Sequence, residues 1–102
     1  MKKKLVRHKI PEIIKNSGRK PKFRIASNEE MPGFLISKFI EEINEFFSEP
    51  SAEEAADVLE VLRAFCFHYD VSMHEVEKTA NKKYKERGSF YTGVILEGIE
   101  DD

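Results

Sequence analysis

The sequence has a single cysteine, Cys66, and no CxxC or paired Cys/His spacing. One thiol cannot close an intramolecular disulfide, and without paired ligands a structural zinc site is excluded as well. Cys66 reads instead as a small core thiol on a helix. No apolar run approaches the roughly 20 residues that a membrane-spanning helix needs. The opening stretch MKKKLVRHKIPEII has neither a long apolar region nor a small-residue cleavage site. A cytoplasmic protein with no membrane association is the expectation. Internal repeats and low-complexity segments are also missing, which excludes solenoids and biased linkers.

What is present is a charged, globular composition. Of 102 residues, 40% are hydrophobic and 35% charged, too apolar for a wholly disordered chain and polar enough for a soluble exterior. The length fits one domain over residues 1–102, and a domain this small hides only about 60 to 65% of its unfolded surface. The net charge of −2 conceals a split: up to Arg24 there are ten Lys or Arg against Glu12 alone, leaving seven bases against eighteen acids in the rest. A basic arm attracts nucleic acid, pyrophosphate-bearing ligands or the acidic remainder of its own fold or of a partner chain. The arm has no aromatic interleaving and no recognition helix, which speaks against nucleic acid.

Periodicity divides the chain into a basic arm over 1–27, a helical core over 32–88 and a tail over 89–102. The first helical pattern runs from about Pro32 to Phe47, with Leu35, Ile36, Phe39, Ile40, Ile43, Phe46 and Phe47 at three- and four-residue steps around an arc centred near Ile43. A second opens at PSAEE, where Ser51 and Glu54 form a capping box, and its apolar stripe continues through Ala55, Val58, Leu59, Val61, Leu62, Phe65 and Cys66 to about Tyr69. A third begins at Ser72 and Glu75, with Val71 stapled to Val76, and stops at Gly88. The runs KFRIAS and TGVILEGI are β-prone. The expected architecture is mainly all-α, with antiparallel helices and short β-prone terminal segments.

Acidic residues stand at the edges of these apolar stripes. Glu42 borders the first, Glu45 lies one step farther round, Glu54 falls within the second and Asp57 at its border. Carboxylates turned toward one another and away from water repel unless a cation, a proton or a basic side chain compensates. A hard divalent ion such as magnesium, which takes oxygen ligands, is one solution. A solvated acidic face, with Glu54 only closing its capping box, is the other, and ExxE spacing alone does not separate them. The short connection FFSEPSAE makes the two helices antiparallel neighbours. On the third helix, NKKYKER sets Lys83 and Arg87 on one face, flanked by Asn81 and Tyr84, a suitable pair for phosphate oxygens. A solvated basic face is again the alternative.

Together these motifs resemble the MazG-like branch of the all-α nucleoside triphosphate pyrophosphohydrolases, whose signature is EExxE followed by ExxD. Glu41, Glu42 and Glu45 match the first motif, Glu54 and Asp57 the second. KLVRHKIPEII, ADVLEVL, RGSF and VILE extend the likeness over nearly the whole chain, toward the small proteins described as phosphoribosyl-ATP pyrophosphohydrolase-like. The resemblance implies magnesium, with manganese as a substitute, held by Glu42, Glu45, Glu54 and Asp57, with Glu41 supporting the ligands from behind. It implies substrate contacts from Asn81, Lys83 and Arg87. The implied reaction is hydrolysis of a nucleoside triphosphate at the α-phosphorus to a monophosphate and pyrophosphate, with non-canonical nucleotides among the candidate substrates. Phosphoribosyl-ATP hydrolysis in histidine biosynthesis is the alternative within the enzyme class, and a non-catalytic nucleic-acid-binding protein the alternative outside it. The resemblance also implies a homodimer or higher homo-oligomer that completes a four-helix bundle. Ala56 and Phe67, away from the main stripe, fit a subunit contact or cover for the β-prone ends. Two features depart from the family pattern: His8 stands where an aspartate is usual, and the gap between the acidic motifs is short, implying a tight turn and a compact pocket. His68 and His74 read as a helix-end residue and an exposed first-turn residue rather than metal ligands.

Overall fold

The computed structural model describes residues 2–100. It is all-α, with helices α1 Ile10–Asn16, α2 Met31–Ser48, α3 Ala52–His68 and α4 Met73–Arg87, and no strand among the described residues. None of these helices is long and apolar enough to cross a membrane. The chain divides into two compact units, one up to Asp70 and the other from Val71 onward.

In the first unit α2 and α3 form a helical hairpin. Only Glu49, Pro50 and Ser51 separate them, too few for anything but a reversal. Ser51 has extended backbone angles and its hydroxyl accepts from the Glu54 N–H at 3.1 Å, which satisfies one of the orphan donors at the start of α3. Phe39 and Phe65 meet edge to face with centroids 6.2 Å apart, matching the middle of α2 to a late position on α3. Leu35, fully enclosed, forms the core with Val61 and Cys66. The buried line of α2 therefore runs through Leu35, Phe39, Glu42 and Phe46, not around Ile43. Ile36, Ile40, Ile43 and Phe47 form a second apolar row at the same three- and four-residue steps, and it lies open: Ile36 is 53% and Phe47 85% exposed. On α3, Leu59 and Leu62 are likewise exposed, as is Phe67. One partner helix covers one stripe of α2, and this sequence carries two.

The basic arm contains a helix that periodicity did not announce. α1 is only seven residues long, with Pro11 in its first turn, where the missing N–H is no loss. Its end is a Schellman motif: Gly18 takes φ +88°, its N–H bonds the Lys15 carbonyl at 3.0 Å, and the Arg19 N–H bonds the Ile14 carbonyl at 3.3 Å. Between the arm and α2, Ser27 and Glu30 form a reciprocal capping box, Glu30 N–H to Ser27 Oγ at 3.3 Å and Ser27 N–H to Glu30 Oε1 at 3.0 Å. Arg24 closes on the same carboxylate with two parallel bonds of 2.8 and 2.7 Å.

That clamp makes a pH prediction. The Arg24 hydrogen bond, followed by the Ser27 backbone N–H, lowers the Glu30 carboxyl from 4.5 to about 2. A carboxyl depressed in the folded state contributes stability above its ordinary pKa and loses it as pH falls toward the folded value, because the unfolded chain takes up the proton first. The melting temperature of the wild type should exceed that of Glu30→Gln near neutrality, and the gap should close between about pH 5 and pH 2. A gap constant over that range would show that the carboxylate is not held.

In the second unit, α4 is capped by Ser72, whose hydroxyl accepts from the Glu75 N–H at 3.3 Å, and ends at Gly88 with φ +81°. Neither β-prone run forms a strand. Residues 22–27 and 92–99 are irregular, since a strand exists only with a hydrogen-bonded neighbour and neither run has one. The apolar side chains of the tail, among them Phe90, Val94 and Leu96, are exposed. The final two positions of the 89–102 tail lie outside the described residues.

Candidate metal centre

Near the turn of the hairpin, acidic side chains from both helices converge. Glu42 on α2 and Glu54 and Asp57 on α3 each offer a carboxylate oxygen, and these oxygens all lie within 4.8 Å of one another. The placement follows from local sequence. Glu42 stands seven residues after Leu35, on the same buried line, so the packing that encloses Leu35 also turns Glu42 inward, where it is 9% exposed. Ser51 fixes the start of α3, which sets Glu54 in its first turn and Asp57 one turn later, both half-buried.

Electrostatics mark this as a crowded site. The Glu54 carboxyl is pushed above its ordinary value, first by desolvation and then by the charges of Glu45, Asp57, Glu42 and Glu49. Two basic side chains answer part of that charge. Lys38 Nζ lies 3.1 Å from Glu42 Oε1, one helical turn away, and 3.6 Å from Glu41. Arg7, from the arm, donates to Asp57 Oδ1 at 2.8 Å, and Lys4 lies 3.8 Å from Glu41. Every buried side-chain polar atom among the described residues has a hydrogen-bond partner.

The structure thus brings together three of the four expected metal ligands. Glu45 is exposed and outside the group of three, although its charge reaches Glu54. Glu41 does not join the group either; it pairs with Lys4 and Lys38, beside Glu42. Asn81, Lys83 and Arg87 are exposed on α4, in the second unit, with Lys83 and Arg87 four residues apart. His8 is exposed in the turn that precedes α1, His74 is exposed in the first turn of α4, and His68 packs edge-on against Tyr69 at 4.8 Å. Sequence reasoning missed Lys38 and Arg7. The first was available as a four-residue pairing with Glu42; the second was not, being fifty positions from Asp57.

Three oxygen donors of this kind suit a hard divalent ion. Magnesium demands oxygen ligands near 2.0 to 2.1 Å in an octahedron and retains positions for water and phosphate. Soft or borderline ions that favour thiolate or imidazole find neither here. Comparisons with protein-family models, with curated proteins and with solved structures find no match to this chain.

Proposed function

We propose that this protein is a magnesium-dependent nucleoside triphosphate pyrophosphohydrolase. The observation that carries the reading is the meeting of Glu42, Glu54 and Asp57, from two helices, within 4.8 Å, with Glu42 drawn out of water. The EExxE and ExxD spacing of the resembled family supports the same assignment, with Glu45 as the fourth ligand at the exposed end.

In this reading Glu42, Glu54 and Asp57 would hold the ion, whose charge would offset the carboxylate repulsion that raises Glu54. When bound, magnesium lowers the pKa of a coordinated water and offsets charge on the phosphate oxygens. Water attacks the α-phosphorus, the bond to the bridging oxygen breaks, and pyrophosphate leaves with the bond's electron pair. Lys38 holds Glu42 in place, and Arg7 does so for Asp57, through the contacts described above. The resembled family also implies Asn81, Lys83 and Arg87 as substrate contacts.

The open row on α2 supports a homodimer. Ile36, Ile40, Ile43 and Phe47 repeat with the spacing of a helix-packing seam, and Leu59 and Leu62 on α3 add to the same need for cover. A second hairpin of the same sequence supplies it, and the product is a four-helix bundle.

The test is a panel of ordinary and damaged nucleoside triphosphates, with phosphoribosyl-ATP included, assayed for pyrophosphate release. Release that requires magnesium, with a monophosphate as co-product, is expected for at least one member. No release from any member, with or without magnesium or manganese, contradicts the reading.

A further inference from the structure

The first unit also contains a groove of about 770 Å³ between the basic arm and the first half of α2. That volume lies within the range of small-ligand sites. Its α2 wall includes Gly33 and Ser37, and Phe34 and Lys38, each pair four residues apart and so neighbours on the helix surface. At Gly33 the wall is bare: a Cβ added there would meet nothing within 4 Å. Gly33 stands in the first turn of α2, and no close approach of another chain segment requires a glycine there. Gly33 leaves open space on that wall.

The groove adjoins the carboxylate group. Lys38 lines it and also reaches Glu42, at 3.1 Å, while Glu41 lines it from the adjacent position. Its rim is cationic in effect. Four lysines face three glutamates, and Glu30 is paired with Arg24 from outside the lining, which leaves four lysines against Glu29 and Glu41. Lys3 forms no ion pair among the described residues. An aromatic ring and an open floor beside ammonium groups suit a ligand with a flat ring at one end and a phosphate chain at the other.

We infer that this groove is the nucleotide-binding site of the enzyme, with the nucleoside over Gly33 and Phe34 and the phosphate chain along Lys4 and Lys38 toward Glu42. The inference rests on the pyrophosphohydrolase reading and adds the place where the nucleotide lies. The arm, which carries three of the four groove lysines, then acts as a phosphate clamp.

The experiment measures binding of the α,β-methylene analogues of ATP, GTP, CTP and UTP to wild type, Gly33→Ala and Gly33→Leu in magnesium. Manganese affinity is read separately by electron paramagnetic resonance. Both substitutions favour the helix, so the fold is kept. Leucine fills the groove, and the analogue bound best by the wild type should bind it at least about tenfold more weakly, about 1.4 kcal/mol. Alanine should leave binding nearly unchanged, and manganese affinity should be the same in all three proteins. Amide resonances of residues 33–38 should shift when that analogue is added to the wild type. Undiminished binding to Gly33→Leu, in a protein that still hydrolyses triphosphates, overturns the groove assignment and leaves the hydrolase reading standing. A wild type that binds no analogue and hydrolyses no nucleotide removes both.

Discussion

Glu42→Gln is expected to abolish magnesium-dependent pyrophosphate release, with kcat/KM falling by about 10³-fold or more, or about 4 kcal/mol of transition-state stabilisation. The change preserves shape and still lets Lys38 donate to a side-chain oxygen, so the hairpin should keep its helix content. What it removes is the negative charge on the most enclosed of the three converging oxygens. A neutral amide cannot replace a carboxylate as a ligand for a hard divalent ion without a large loss of affinity. Asp57→Asn should give a loss of the same order, and for it the retained contact is with Arg7. Both variants are to be compared with wild type by steady-state kinetics and by far-ultraviolet circular dichroism. Full turnover in both would reject the ligand assignment.

Ile36→Glu is expected to convert a dimer into a monomer. Ile36 belongs to the second apolar row of α2 and is 53% exposed, so a charge there can reach water in the isolated hairpin. Across a subunit contact the same charge would be desolvated without a partner, at a cost of several kcal/mol. A weakening of association by about 100-fold corresponds to about 2.7 kcal/mol and lies at the lower end of that range. Sedimentation equilibrium should show a wild-type mass of twice 11.9 kDa and a variant mass near the single-chain value. A wild type that sediments as a monomer at all concentrations would remove the dimer, and the open row would need another cover.

The helices and the site differ in how much of each the sequence made visible. The three long helices are legible from the apolar stripes of α2 and α3 and from punctuated ends: Ser51 and Ser72 cap as their spacing to Glu54 and Glu75 suggests, and Gly88 closes α4. α1 was hidden because seven residues are too few for a period to register. The capping box of Ser27 and Glu30 is written in the sequence as S-x-x-E, but the Pro and Gly of MPG that follow it are the stronger boundary signal. On α2 the arc was placed around Ile43 because a helical wheel sums every apolar residue. It cannot separate the row that is buried in the hairpin from the row that stays largely exposed. Glu42, Glu54 and Asp57 were found at the stripe edges, and they meet because the same packing that buries Leu35 turns that edge inward. Arg7 was beyond reach, as its contact with Asp57 depends on the path of the whole arm.

The most direct measurement is anomalous diffraction from crystals grown with manganese and a non-hydrolysable triphosphate analogue. One strong peak is predicted, bounded by carboxylate oxygens of Glu42, Glu54 and Asp57 at about 2.1 to 2.2 Å. A peak elsewhere, or none at all with the analogue bound, would contradict the account.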